Sequence, residues 1–207
     1  MMAQVCVPLG PGDRAPDFDL PAADHDGRVM LAEHLARGPV LLYLLRGLYC
    51  PFCRRQISQM KPTCELLGQS GITLLGVVIA TAERSRLYYR FASSPCFPVA
   101  ASPNRALHGA YGLVETPRTP QRSQDADHAA ARILREIGVD QWSGRAGLAL
   151  QQLDIAFHET PEDEAEYSRP LQTSGLFLID SDGVIRWTRA PASVLIPLRI
   201  DELLAQL

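Results

Sequence analysis

Residues 38–60 read GPVLLYLLRGLYCPFCRRQISQM: an apolar run from Val40 to Leu45, a short turn, then apolar positions at helical spacing. The unbroken run fits a strand buried on both faces, and the change to three-and-four spacing marks where strand gives way to helix. The turn carries Cys50-Pro51-Phe52-Cys53, so two thiols stand where the helix begins. Backbone N–H groups of a first helical turn lack intrahelical partners, and the macrodipole is positive there, so a sulfur at that point is stabilised as the thiolate. An ordinary thiol of pKa about 8.5 is only about 3% ionised at pH 7, whereas one lowered to roughly 6.5 is about 75% ionised. Pro51 suits the first helical position, where its missing N–H costs nothing, and Arg54 and Arg55 add positive charge.

Cys53, Ile57, Met60, Cys64 and Leu67 form one apolar stripe, while Cys50 precedes the helix proper. Cys50 is therefore expected outside and Cys53 half buried. In a dithiol mechanism the attacking sulfur forms a mixed disulfide or sulfenic acid, and its neighbour resolves it into an internal disulfide. Arg46, four residues before Cys50, is placed to stabilise the thiolate or hold an anionic substrate, and Tyr49 to pack beside the sulfur. A zinc site is disfavoured, because no second close Cys or His pair completes four ligands.

Three stretches together, GDRAPDFDLPAADHDG (12–27), the strand followed by RGLYCPFC, and LFLIDSDGVIRW (176–187), resemble the peroxiredoxin-like branch of the AhpC/TSA family in the thioredoxin-fold superfamily. The resemblance implies an α/β, thioredoxin-like fold with a mixed central sheet and helices on both faces. It implies a thiol-dependent antioxidant oxidoreductase that reduces peroxides or disulfides through Cys50 and Cys53 and is reset by an external thiol such as thioredoxin or glutathione. Laid on the family's Pro-x-x-x-Thr-x-x-Cys pattern, the chain has Arg46 at the proline, Cys50 at the threonine and Cys53 at the peroxidatic cysteine. Thioredoxin-like enzymes instead use the first cysteine, here Cys50, so the two templates leave the attacking sulfur open. The position of the family's later arginine holds Ser174, with Arg169 nearby, and a cis-proline ahead of the late strand would fall to Pro170, or its backbone role to Thr173 or Ser174.

The 207 residues are 46% apolar and carry a net charge of −3, enough for one sizeable core, with no Gly/Ser-rich linker to divide it. The reading is one domain over 1–207, with an insertion at about 115–169 that covers the site or makes a homodimer contact. Lys61 is the only lysine and there is no basic tract, which argues against nucleic acid; no apolar run is long enough to span a bilayer. No secretory signal is legible at the amino terminus, and five scattered cysteines do not make a secreted disulfide framework, so a cytoplasmic location is expected. No dinucleotide or phosphate-loop motif is present, so neither cofactor nor metal is expected.

Of the other cysteines, Cys64 reads as core, Cys96 in SSPCFPVAA (93–101) as a small, partly buried residue or a remote resolving thiol for Cys53, and Cys6 as idle. Helices are predicted at Leu31–Ala36, at Phe52–Leu67 with a kink at Pro62, at Ala82–Phe91, Asn104–Tyr111, Asp125–Ile137 and about Ile200–Gln206. Strands are predicted at Val40–Leu45, Ile72–Ala80, Phe97–Ala101 on an edge, and Gly175–Asp180 paired with Val184–Thr188 as a hairpin. ETPEDEAEYSR (159–169) reads as a solvated acidic loop, and His108, His128 and His158 as satisfied surface or core histidines. A disulfide exchanger and a redox-inert scaffold are the alternative functions.

Overall fold

The computed structural model describes residues 7–192; Cys6 and the helix expected near Ile200–Gln206 lie outside the described residues. An antiparallel pair, β1 (Asp19–Pro21) and β2 (Arg28–Met30), leads through the short helix α1 (Leu31–Leu35) into the central strand β3 (Val40–Leu44). After the cysteine turn come α2 (Pro51–Gln59) and α3 (Lys61–Gln69), then β4 (Thr73–Ile79), α4 (Ala82–Tyr89), β5 (Val99–Ser102) and α5 (Ala106–Ala110). The next segment opens with β6 (Glu115–Thr116), holds three helices, α6 (Pro120–Glu136), α7 (Ala146–Gln152) and α8 (Pro161–Ser168), and closes with β7 (Leu171–Gln172) pairing back on β6. β8 (Ser174–Ile179) and β9 (Ile185–Ala192) form the final hairpin.

The main sheet has the order β5-β4-β3-β8-β9, with β3, β4 and β5 mutually parallel and β8 and β9 antiparallel, which is the expected mixed sheet. Every residue of β3 is buried, as an unbroken apolar run requires. Its side chains alternate between two cores. Leu41, Tyr43 and Leu45 join Cys53 and Ile57 of α2, Tyr88 and Tyr89 of α4, Leu134 of α6 and Leu150 of α7. Val40, Leu42 and Leu44 join Leu31 of α1, Tyr111 and Phe177 on the opposite face. Helices thus cover both faces, and each fully buried Leu or Val contributes about 1.5–3 kcal/mol to holding them there.

Some stretches differ from the sequence expectation. The helix predicted over Phe52–Leu67 is two helices meeting at Met60: Pro62 lacks an N–H and its ring would collide with the carbonyl one turn back, so α3 starts anew with the proline in its first turn. The acidic stretch 159–169 is helical rather than a solvated loop. The Asp163 carboxylate accepts from both the backbone N–H and the hydroxyl of Thr160, which starts α8. Asp163 then forms a buried ion pair with Arg84 (2.7 Å), Glu162 accepts from the Thr81 N–H and hydroxyl, and Glu166 pairs with Arg105. These acids dock α8 onto α4 and onto the start of α5. α6 also begins earlier than Asp125, because the Thr119 side chain caps it and Pro120 follows.

Candidate active site

The chain leaves β3 through Leu45-Arg46-Gly47, and the turn is tight. Leu45 still donates to the Val77 carbonyl, while a Cβ on Gly47, whose φ is +149°, would lie 2.6 Å from the Ile79 carbonyl oxygen. Only glycine lets the backbone pass so close to β4. On the other side of the turn His108, fully buried, donates from Nε2 to the Leu45 carbonyl at 2.8 Å. Burial, together with the charge of Arg105, outweighs that hydrogen bond and lowers the histidine to about 4, so it is a neutral strut; it is a core histidine, but its Nδ1 has no hydrogen-bond partner among the described residues, so it is not the fully satisfied one expected. His128 and His158 are exposed, and no metal-holding cluster of His, Cys, Asp and Glu exists among the described residues.

Cys50 caps α2 in an extended conformation, Pro51 occupies the first turn, and the backbone N–H groups of Cys53 and Arg54 donate to the Cys50 carbonyl at 3.1 and 3.2 Å. Both sulfurs are buried: Cys50 is 4% exposed and Cys53 0%, which corrects the expectation of an outward Cys50 and a half-buried Cys53. The cover comes from the 115–169 segment. The Tyr167 hydroxyl donates to the Tyr49 carbonyl (2.9 Å) and is hydrogen-bonded to the Gln151 amide (2.8 Å), and its ring meets that of Tyr49 edge-on at 5.5 Å. Arg54 is a clamp as well as a source of field. Nearly all of it is buried, its Nε pairs with Asp154 at 2.6 Å, one terminal nitrogen donates to the Leu48 carbonyl at 2.5 Å, and the guanidinium lies 3.6 Å over Phe157. A continuous stripe predicts Cys53 and a periodicity predicts α2, but nothing in the sequence spacing links Asp154, Phe157 and Tyr167 to a turn more than a hundred residues away.

The two thiols have opposite tendencies. For Cys50, burial pushes upward, but the hydrogen bond with the Cys53 thiol, the charge of Arg46, the Cys53 backbone N–H and the charge of Arg54 together prevail and bring it down to about 6. Cys53 goes well above the usual thiol range, because burial, its hydrogen bond with Cys50 and the Cys50 charge all disfavour a second thiolate. The pair therefore carries one negative charge, on Cys50, with Cys53 as its S–H donor.

Arg46 is half-buried and lines a cavity of about 560 Å³ together with Pro51, Arg118, Arg122, Arg145 and Tyr167. Tyr49 is buried beside the sulfurs; burial first, and then their charge, opposes ionisation of its phenol, and its hydroxyl has no hydrogen-bond partner among the described residues. The cis peptide among the described residues is Ala190–Pro191, in β9, and not the bond preceding Pro170. Ser174 begins β8 and donates from its hydroxyl to the Ala192 carbonyl at 2.7 Å.

Residues 11–188 match the model of the AhpC/TSA family. A candidate peroxiredoxin of Mycobacterium tuberculosis is 30% identical over 104 residues, which are 50% of this chain and 64% of that protein, so the match spans somewhat under two thirds of the relative. A 1-Cys peroxiredoxin of Hordeum vulgare is 21% identical over 136 residues, 63% of this chain and 60% of its own length. Among solved structures, peroxidoxin BcpB from Mycobacterium tuberculosis superposes with a TM-score of 0.59 at 14% identity over 96% of each chain. The reduced 2-Cys peroxiredoxin of Plasmodium vivax gives 0.58 at 13% identity, over 95% of this chain and 79% of that one.

Proposed function

The chain belongs to the AhpC/TSA family, and from that premise we propose that it is a thiol-dependent antioxidant oxidoreductase which reduces peroxides, with Cys50 as the attacking sulfur and Cys53 as the resolving one. The observation that carries the assignment of roles is the asymmetry of the pair: the sulfur at the helix start is depressed to about 6 while its neighbour is held protonated. This supports the thioredoxin-like order of attack over the alignment that places the peroxidatic cysteine at Cys53.

The Cys50 thiolate attacks the outer oxygen of a hydroperoxide, the O–O bond breaks, and the departing alkoxide takes a proton to leave as an alcohol, or as water from hydrogen peroxide. Cys50 becomes a sulfenic acid. The Cys53 sulfur then attacks the sulfenic sulfur, hydroxide leaves with the Cys53 proton as water, and an intramolecular disulfide remains. An external dithiol or glutathione supplies two electrons and two protons to restore the pair. Arg46 both stabilises the thiolate and faces the 560 Å³ cavity, so it is the residue proposed to meet the substrate, while Tyr49 walls the sulfurs off from bulk water. No metal or organic cofactor takes part in this sequence of steps.

We further propose one thioredoxin-like domain over 1–207, the segment at about 115–169 as an insertion covering the site, a cytoplasmic location and a homodimer. No helix among the described residues is long and apolar enough to cross a membrane. Disulfide exchange is the second reading, and burial of both sulfurs favours it least, since a peroxide is smaller than a protein disulfide. Stopped-flow mixing of the reduced protein with hydrogen peroxide separates them: rapid formation of the Cys50–Cys53 disulfide, abolished in Cys50→Ser and arrested at the sulfenic acid in Cys53→Ser, is expected. Reduction of insulin without peroxide consumption would instead establish the exchanger, and inertness of both thiols the scaffold.

A further inference from the structure

Away from the Cys50–Cys53 site the fold brings together two thiols that the sequence keeps apart. Cys64, on α3, and Cys96, in the loop between α4 and β5, lie with their sulfurs 3.0 Å apart across a sequence separation of 32. Both are free thiols, Cys64 half-buried and Cys96 exposed. The sequence reads Cys64 as core and Cys96 as a small, partly buried residue or a remote resolving thiol for Cys53; the packing instead leaves Cys96 exposed and makes the two partners of each other.

Each sulfur is held by ordered structure on its own side. Cys64 is in the first turns of α3, its N–H donating to the Met60 carbonyl at 2.8 Å. Cys96 sits between Pro95 and Phe97, and the Phe97 ring is buried over Gly76 of β4, where even a Cβ would come within 2.8 Å of it. A disulfide bond needs a sulfur separation of about 2.05 Å, so roughly 1 Å of approach, a matter of side-chain rotation, closes this pair. Cys96 also opens onto a cavity of about 710 Å³ whose walls include Pro51, next to Cys50, and the cations Arg55 and Lys61.

We propose that Cys64 and Cys96 are a second, reversible dithiol–disulfide couple, which exchanges with anionic low-molecular-weight disulfides of the glutathione disulfide class. The exposed Cys96 attacks first. Its thiolate forms a bond to one sulfur of the small disulfide, the S–S bond breaks, and one glutathione leaves as thiolate and is protonated. Cys64 then loses its proton and attacks the Cys96 sulfur of the mixed disulfide, expelling the second glutathione as thiol. Two protein thiols are oxidised and one disulfide is reduced to two thiols, so electrons and protons balance. Burial and the hydrogen bond and charge of Cys96 hold the Cys64 thiol up at about 12, consistent with Cys64 as the second, resolving sulfur. Arg55 and Lys61 supply the charge that draws the carboxylates of such a disulfide to this wall.

Peptide mapping tests this, first on the unaltered protein and then on cysteine variants. The full-length protein is equilibrated in glutathione buffers of stepped thiol-to-disulfide ratio, quenched by alkylation and digested with trypsin, which places Cys64 in residues 56–84, Cys96 in 91–105 and the other pair within 47–54. The expected result is a linked 56–84/91–105 species that grows as the buffer becomes oxidising, is reversed by excess glutathione, and persists when Cys50 and Cys53 are both replaced by Ser. In Cys64→Ser, Cys96 should stop as its glutathione adduct. Alkylated Cys64 and Cys96 at every ratio, or a Cys96 adduct that never resolves in the unaltered protein, would overturn the proposal while leaving the peroxide chemistry at 47–54 untouched.

Discussion

At the scale of single residues, the Cys53 thiol and then the charge of Arg46 do most to set the chemistry of Cys50. Arg46 opposes the burial that would otherwise keep Cys50 protonated, and its own guanidinium is stabilised in turn by the two sulfurs. Iodoacetamide alkylation of Cys50 should therefore rise to half its maximum near pH 6. Arg46→Leu should move that midpoint upward by about one unit and slow alkylation at pH 6 by roughly five-fold, since each unit of pKa is a tenfold change in the thiolate equilibrium. Site-resolved mass spectrometry over pH 4–9 reads both. An unchanged midpoint would assign the depression to the helix start and the Cys53 thiol alone.

At the scale of elements, α8 is pinned by its acids. Its most deeply buried ion pair with α4, between Arg84 and Asp163, leaves only 4% of either side chain in contact with solvent, and the same carboxylate also starts the helix. Removing one member of a buried pair strands the other, so Asp163→Ala should cost about 3–5 kcal/mol in urea unfolding. Because Tyr167 and Glu166 ride on α8, that variant should also loosen the cover over Tyr49 and raise the peptide-exchange rate of the cysteine turn. α7 and the residues after it reach the same turn by a second route, through Arg54, Asp154 and Phe157.

At the scale of the whole molecule, two buried groups tie stability to pH in one direction. Cys50 has a folded pKa below that of an ordinary thiol, so its contribution is complete above the unfolded value and is lost as pH falls through about 6. His108 is held near 4 against 6.5, so the unfolded chain binds a proton the folded one refuses, and stability is lost as pH falls from about 6.5 toward 4. The unfolding free energy from urea titrations should decline by up to about 1.4 kcal/mol per pH unit from about pH 9 to 6 through Cys50 and from about 6.5 to 4 through His108, and His108→Gln should flatten the lower part of that decline. Much of this molecule was legible in the order of its residues. The apolar run Val40–Leu45, the thiols at a helix start and the late hairpin follow from local rules, because strand burial, helix capping and turn formation each act within a few residues. The break at Met60 and the helix over 161–168 were set by local signals too, Pro62 and the Thr160–Asp163 box, which weighed more than the stripe or the acidity that masked them. What only the folded chain decided is burial and partnership at long range: that Tyr167 packs on Tyr49 beside the thiols, that Arg54 finds Asp154 across a hundred positions, and that Cys64 meets Cys96. Periodicity places a side chain on a face of its own element, but which other element covers that face is fixed by packing three-dimensional shapes together, and no spacing along the chain encodes it.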